Sequence, residues 1–211
     1  MKIYRRVFSP IEVNTYIIAD PSGNCIIIDC GCYDNEEFGK LKFLLESKKL
    51  TPVLLLNTHC HFDHVFGNHL MLEYFNLKTV CNEEEISNLK NAPLFAGMCG
   101  LNMNMPPDPD HFIKDGEYIT AGNITLKALH VPGHTRGSMA YYCKEESCIF
   151  TGDALFAGQI GRCDLPGGDQ QMLIKSIKEK ILTLPPSTIV YPGHGKHTTI
   201  ENELINNPWL K

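Results

Sequence analysis

"NTHCHFDH", residues 57–64, follows the apolar run "VLLL" (53–56) and sets three histidines and an aspartate within six positions. An extended backbone sends residues i and i+2 to the same side, so His59 and His61 can share one metal ion just beyond a buried strand. Asp63 and His64 come after the chain has to turn, so their side chains diverge from that pair and can reach a second ion. Cys60, between the two histidines, then faces the opposite side, where packing is its expected role. The motif alone could build a single catalytic zinc, so a two-metal centre requires further ligands elsewhere.

Three glycine turns offer them. "VPGHTRGS" (131–138) places His134, "FTGDALF" (150–156) places Asp153 and "YPGHG" (191–195) places His194, each just after a strand-like run. A histidine or aspartate in a glycine turn is ordinarily a polar turn residue. Together, all at strand ends where open sheets tend to place active sites, the three point to a shared centre.

The rest of the chain reads as mixed α/β. Strands are predicted at 15–19, 24–29, 53–57, 124–131, 139–143, 148–152 and 188–193, and helices at 36–49, 67–75, 83–90, 169–184 and 198–207. In the fourth helix Met172, Ile174, Ile177, Ile181 and Leu184 recur at helical spacing as a core face. The Gly, Pro, Asn and Met-rich stretch 97–110 is expected to be a long surface loop able to overhang an active site. With no repeat and no low-complexity linker, the 211 residues are expected to form one layered α/β domain, 1–211.

Composition excludes several classes. A formal net charge of -5 and the absence of a Lys/Arg-rich stretch argue against nucleic acid as a partner. No run of 18 apolar residues occurs, and "MKIYRRVFSPIEVN" does not have the pattern of a secretory signal, so no membrane association and a cytoplasmic location are expected. Nine cysteines, an odd number at irregular spacings with no CxxC, suggest reduced, packed thiols and no disulfide framework.

"THCHFDH", "PGHT", "GDALF" and "PGHG", in this order, resemble the metallo-β-lactamase fold superfamily, and "NTYIIADPSGNCIIIDCG" (14–31) resembles its opening hairpin. The resemblance implies a four-layer αββα sandwich with metals at one edge between the sheets. It implies His59, His61 and His134 on one metal, Asp63, His64 and His194 on the other, and Asp153 bridging both. Asp63 and Asp153 become the candidate catalytic carboxylates, and Asp29 and Thr58 the groups that hold a ligand imidazole in orientation. The metals would be two divalent ions, zinc first, with iron or manganese as alternatives.

A bridging aspartate at 153 disfavours the antibiotic-hydrolysing branches, which characteristically carry a cysteine or lack that bridge. "GDALFAGQIGRCDLPGGD" (152–169) and "ENELINNPWL" (201–210) are similar to short bacterial proteins resembling glyoxalase II, the hydroxyacylglutathione hydrolases. That similarity implies hydrolysis of a small-molecule thioester by a metal-bridging hydroxide. Full-length glyoxalase II proteins have a C-terminal helical domain for glutathione, and residues 195–211 are too few for one. Arg162, then Arg136, are the candidates for a substrate carboxylate. Two other readings stay open: a persulfide dioxygenase with one iron on His59, His134 and Asp153, and a metal-binding module without catalysis. His69, His111, His130 and His197 match no ligand position, and ribonuclease-type relatives are disfavoured by the acidic charge.

Overall fold

The strands of the first half divide their side chains between two destinations, and that division builds the layers. In the computed structural model, which describes residues 1–211, β1 (Lys2–Phe8), β2 (Val13–Ala19) and β3 (Asn24–Ile28) form an antiparallel meander. Helix α1 (Asn35–Lys48) crosses to β4 (Thr51–Leu56), and α2 (Phe62–Val65) and α3 (Asn68–Phe75) lead to β5 (Thr79–Cys81). After α4 (Ile86–Met98), β6 (His111–Phe112) closes a six-stranded sheet in the order β1-β2-β3-β4-β5-β6, with β3 to β6 parallel.

The second half repeats the plan. Strands β7 (Tyr118–Ala121), β8 (Ile124–His130), β9 (Met139–Cys143) and β10 (Cys148–Gly152) are antiparallel neighbours. A small hairpin of β11 (Leu155–Phe156) and β12 (Gln159–Ile160) follows, then α5 (Gln170–Ser176), which continues through a π turn to Ile181. Strand β13 (Ile189–Pro192) runs parallel to β10, and β14 (Thr198–Thr199) and α6 (Ile200–Asn206) finish a sheet ordered β14-β13-β10-β9-β8-β7.

Three apolar clusters fill the spaces between four layers. Ile26, Ile28 and Leu56 of the first sheet meet Leu126, Tyr141 and Phe150 of the second in the central one. The alternate residues Cys25, Ile27 and Leu55 face Phe38, Leu41 and Leu45 of α1, and Ile149 and Val190 face Leu173, Ile177 and Ile200 on the far side. Alternation of period two therefore sends each strand's residues into two cores, which is why these strands read as continuous apolar runs. Helix α1 begins on the side chain of Asp34, which accepts from Glu37 N, and ends at Lys49 in the left-handed region. No helix is long and apolar enough to cross a membrane.

The expected αββα sandwich is the observed fold, and four local expectations are corrected. The helix expected at 83–90 runs on to Met98, so the irregular stretch expected from residue 97 starts at Cys99, two residues later. The helix expected at 169–184 closes at Ile181, and Met172 is 44% exposed, because the i, i+4 spacing of Leu173, Ile177 and Ile181 sets the inward face one position away from it. The helix expected at 198–207 starts at Ile200, since Thr198 and Thr199 pair with β13. Strand β1 gave no apolar run to detect because its burial pattern is mostly exposed or half-buried, as an edge strand allows.

Leu41 is fully buried in the helix–sheet layer while Phe43, two positions on, is 72% exposed. Leu41→Ala is expected to cost about 2–5 kcal/mol in denaturant unfolding. Phe43→Ser should change stability by no more than about 0.5 kcal/mol.

Candidate metal centre

The donor side chains come from the carboxyl ends of strands in both sheets. Beyond β4 the chain bends at Thr58 and is extended again at His61, and the rings of His59 and His61 meet edge to face with centroids 4.7 Å apart. The first turn of α2 then carries Asp63 and His64. His134 sits in the β8–β9 connection, Asp153 follows β10 and His194 follows β13. Because β10 and β13 are parallel neighbours, their two ends deliver Asp153 and His194 to the same place.

These seven side chains meet as three overlapping triads: His59, His61 and His134; Asp63, His64 and His194; and His59, His64 and Asp153. His134 Nε2 lies 2.9 Å from His61 Nδ1 and 3.2 Å from His59 Nε2. His194 Nε2 lies 3.1 Å from Asp63 Oδ2, and Asp63 Oδ2 lies 3.7 Å from His64 Nε2. Asp153 stands between the groups, with Oδ1 3.3 Å from His64 Nε2, and Oδ2 3.8 Å from His134 Nε2 and 3.7 Å from His194 Nε2.

Four of the five imidazoles are tethered through the ring nitrogen that faces away from this centre. His64 Nδ1 donates to Asp29 Oδ2 at 2.9 Å, and His134 Nδ1 to the carbonyl of Arg162 at 2.8 Å. His194 Nδ1 donates to the carbonyl of Glu12 at 3.2 Å. Thr58 Oγ1 donates to Asp29 Oδ2 at 2.7 Å, which leaves it as acceptor for His59 Nδ1 at 3.1 Å. These partners fix each tautomer so that a lone pair points inward. Asp29 thus orients His64 directly and His59 through Thr58. Its backbone φ of 55° lies in the left-handed region, where an aspartate is tolerated better than most residues.

Inward-facing lone pairs repel, and burial denies them water. His64 Nε2 and Asp153 Oδ1 are buried without a hydrogen-bond partner. Burial, reinforced by the surrounding imidazoles, holds His59 well below the ordinary histidine range and pushes His61 down to about 3. Burial also opposes charge on His64 and His194, but the carboxylates of Asp63 and Asp153 overcome it and raise both. Burial likewise opposes ionisation of Asp63 and Asp153, yet His64 and its neighbours draw both below the ordinary carboxylate range. Two ligands about 2.1 Å from a tetrahedral ion stand roughly 3.4 Å apart, which is the spacing of these donors. Orphaned donor atoms, mixed His and Asp chemistry and this spacing all fit divalent metal ions.

The glycines make the approach. A Cβ on Gly193 would strike Asp153 Oδ1 and stand 2.7 Å from His64 Cε1, and a Cβ on Gly152 would strike the Thr58 hydroxyl. Gly152 also has φ of 50°. Glycine here lets two sheets close on one centre.

Residues 9–194 match the family model described as the metallo-β-lactamase superfamily. The chain belongs to the metallo-β-lactamase superfamily. It is 37% identical to the probable metallo-hydrolase YqgX of Bacillus subtilis, covering 100% of this chain and 98% of that one. It is 36% identical to the hydroxyacylglutathione hydrolase GloC of Haemophilus influenzae, covering 94% and 93%. Among solved structures, BLEG-1 B3 metallo-β-lactamase superposes with a TM-score of 0.92 at 35% identity, covering 100% of both chains. TTHA1623 in a di-iron-bound form superposes with a TM-score of 0.89 at 36% identity, covering 98% and 100%.

Within this superfamily member, the sequence-derived residues fare differently by type. All seven donors, with Asp29 and Thr58, lie together. Cys60 is fully buried among Val65, Cys81, Leu89 and Ala92, facing away from the donors. Arg162 gives both Nε and Nη2 to Asp164 at 2.8 Å in an exposed pair, and Arg136 is exposed beside Gly167. His69, His111, His130 and His197 lie outside the triads. The 99–110 stretch lines a groove with His69, Leu72 and Leu89 that includes none of the seven donors.

Four supporting residues escape sequence reading. Asn57 donates to the carbonyl of His64 and to Asp29, while Asn14 and Tyr16 donate to the carbonyl of Pro192 and so hold the His194 turn. Glu85 accepts backbone N–H groups beside two donor loops. The one available signal was a polar or charged residue inside or beside an apolar run, as in "EVNTYIIA".

Because the carboxylates raise His64 and His194, metal binding has to displace protons from the free protein. The apparent affinity should therefore rise with pH, with net proton release near pH 7 in calorimetry run in buffers of different ionisation enthalpy. Pattern and burial further predict that Cys60→Ala keeps the full metal content, read by elemental analysis.

Proposed function

We propose that this chain is a binuclear metal-dependent hydrolase of a small-molecule thioester such as a hydroxyacylglutathione. The observation that carries the reading is Asp153, a carboxylate placed between two separate donor triads, with Oδ2 3.8 Å from His134 of one and 3.7 Å from His194 of the other, and Oδ1 3.3 Å from His64. His59, His61 and His134 would hold one ion, Asp63, His64 and His194 the other, and Asp153 both. GloC, a hydroxyacylglutathione hydrolase similar over 94% of the chain, supports the substrate class. Zinc is our first assignment, and the di-iron form of TTHA1623 makes iron the main alternative.

When bound, two divalent cations supply Lewis acidity, lowering the pKa of a water and polarising a carbonyl. The chain's own residues do the rest. Asp29, Thr58 and the carbonyls of Arg162 and Glu12 keep four of the imidazoles aimed, so the centre needs little reorganisation. Asp63, kept ionised beside His194, is the candidate acceptor for the proton of the attacking water. Water adds to the thioester carbonyl carbon, the C–S bond breaks, and the thiolate departs and takes up that proton. A thiolate leaves readily, so no strong general acid is demanded. Arg162, once released from Asp164, and Arg136 are proposed to meet a substrate carboxylate. Nine free cysteines accord with the reducing cytoplasm as its compartment.

β-Lactam hydrolysis is the second reading, favoured by the likeness to BLEG-1. It is the same acyl substitution with a poorer leaving group. The deciding assay compares a lactoyl-glutathione-type thioester, a β-lactam, and oxygen uptake with glutathione persulfide, alongside metal content. Thioester cleavage with about two metals per chain is expected, lost at least ~100-fold in Asp153→Asn. One iron per chain with oxygen consumption, or β-lactam cleavage alone, would contradict it.

A further inference from the structure

Glu85 is a fully buried carboxylate that takes part in no ion pair. Its Oε2 accepts from the backbone N–H of Cys60 at 2.7 Å and from Asn88 Nδ2 at 3.0 Å. Its Oε1 accepts from the backbone N–H of Gly137 at 2.9 Å. Cys60 lies between His59 and His61, and Gly137 lies three residues after His134. One side chain therefore ties together the two loops, one from each sheet, that bear the three-histidine triad.

We propose that Glu85 is a positioning residue that sets His134 against His59 and His61, and through that spacing the affinity of the three-histidine half of the centre for a divalent cation. The proposal rests on the reading of these histidines as metal ligands. His61 shows why such a hold is needed: alone among the five imidazoles it makes no ring hydrogen bond outside the centre, so only its backbone fixes it. The clamp has a second strand, since Met139 N donates to the carbonyl of Thr58 at 2.7 Å. Gly137 is shaped to the carboxylate, because a Cβ there would stand 2.8 Å from Glu85 Oε1 and 2.9 Å from Glu85 Cγ. A carboxylate is the group required: two acceptor oxygens serve two N–H donors, whereas an amide would turn an NH2 against one of them. Its buried negative charge is also offset when cations occupy the adjoining triads.

The test is cobalt(II) binding under chelator competition in the full chain, with imidazole NMR resonances reporting which triad fills. Glu85→Gln should weaken binding at His59, His61 and His134 by about 10–100-fold while binding at Asp63, His64 and His194 changes by less than about 3-fold. Glu203, another fully buried carboxylate, accepts from Thr198 Oγ1 and from Gly158 N, and has no hydrogen bond to the loops that bear His59, His61 and His134. Glu203→Gln should lower stability without this selective loss. Unchanged cobalt binding in Glu85→Gln, or an equal loss at both triads, would overturn the proposal. A wild-type chain that binds no cobalt would overturn the ligand reading as well, whereas one that binds two ions without cleaving a thioester overturns the substrate reading alone. Should the variant not fold, amide exchange in metal-free wild type decides: Cys60 and Gly137 N–H protected supports the clamp, and fast exchange at either refutes it.

Discussion

Electrostatic repulsion among buried, inward-facing donor atoms is the constraint around which this molecule is arranged. Imidazole nitrogens stand 2.9 and 3.2 Å apart, and the Asp63 and Asp153 carboxylates share the space with them. No such cluster forms by apolar burial, which would drive the groups apart or into water. It persists because four of the five imidazoles are held from behind, by Asp29, Thr58 or a carbonyl, at the cost of stability that cations restore. In the metal-free chain, protons on His64 and His194 take part of that role.

The layered fold supplies the leverage. Each sheet is buried on both faces, so the strand ends are rigid and their register is fixed by three separate cores. The donor loops are short extensions of those ends, and the two sheets touch at the centre through Gly152 against Thr58 and Met139 N on the carbonyl of Thr58. A ligand set split between sheets therefore reports on the packing of the whole sandwich. That split also explains why glycine precedes Asp153 and His194: a side chain there would occupy the space the centre requires.

Much of this was legible in residue order. His59 and His61 meet at the centre and Cys60 between them turns into the core, as period-two alternation leads one to expect although β4 itself ends at Leu56. The motif and three glycine turns name the seven candidate donors that the structure brings together, since ligand chemistry confines itself to few residue types. What hid was whatever depends on partners distant in sequence. Glu85 looked like one of three acidic residues at a helix start, and Asn14 like an ordinary strand residue. Arg162, a candidate for a substrate carboxylate, closes its fork on Asp164 only two residues on, a local pairing that the sequence also offered. Met172, in the first turn of α5, lies one position off the buried face of Leu173, Ile177 and Ile181. Edge strand β1, half-exposed and charged, carried too little alternation to read.

Kinship with a hydroxyacylglutathione hydrolase, a metallo-hydrolase and a B3 metallo-β-lactamase shows one scaffold named for different chemistries. In this chain Asp153 is the residue proposed to join two metal positions. Anomalous diffraction from crystals grown with zinc tests it most directly. Two peaks are predicted, one among His59, His61 and His134 and one among Asp63, His64 and His194, with an Asp153 oxygen within about 2.2 Å of each. A single peak, or two peaks with Asp153 bound to only one, would contradict it.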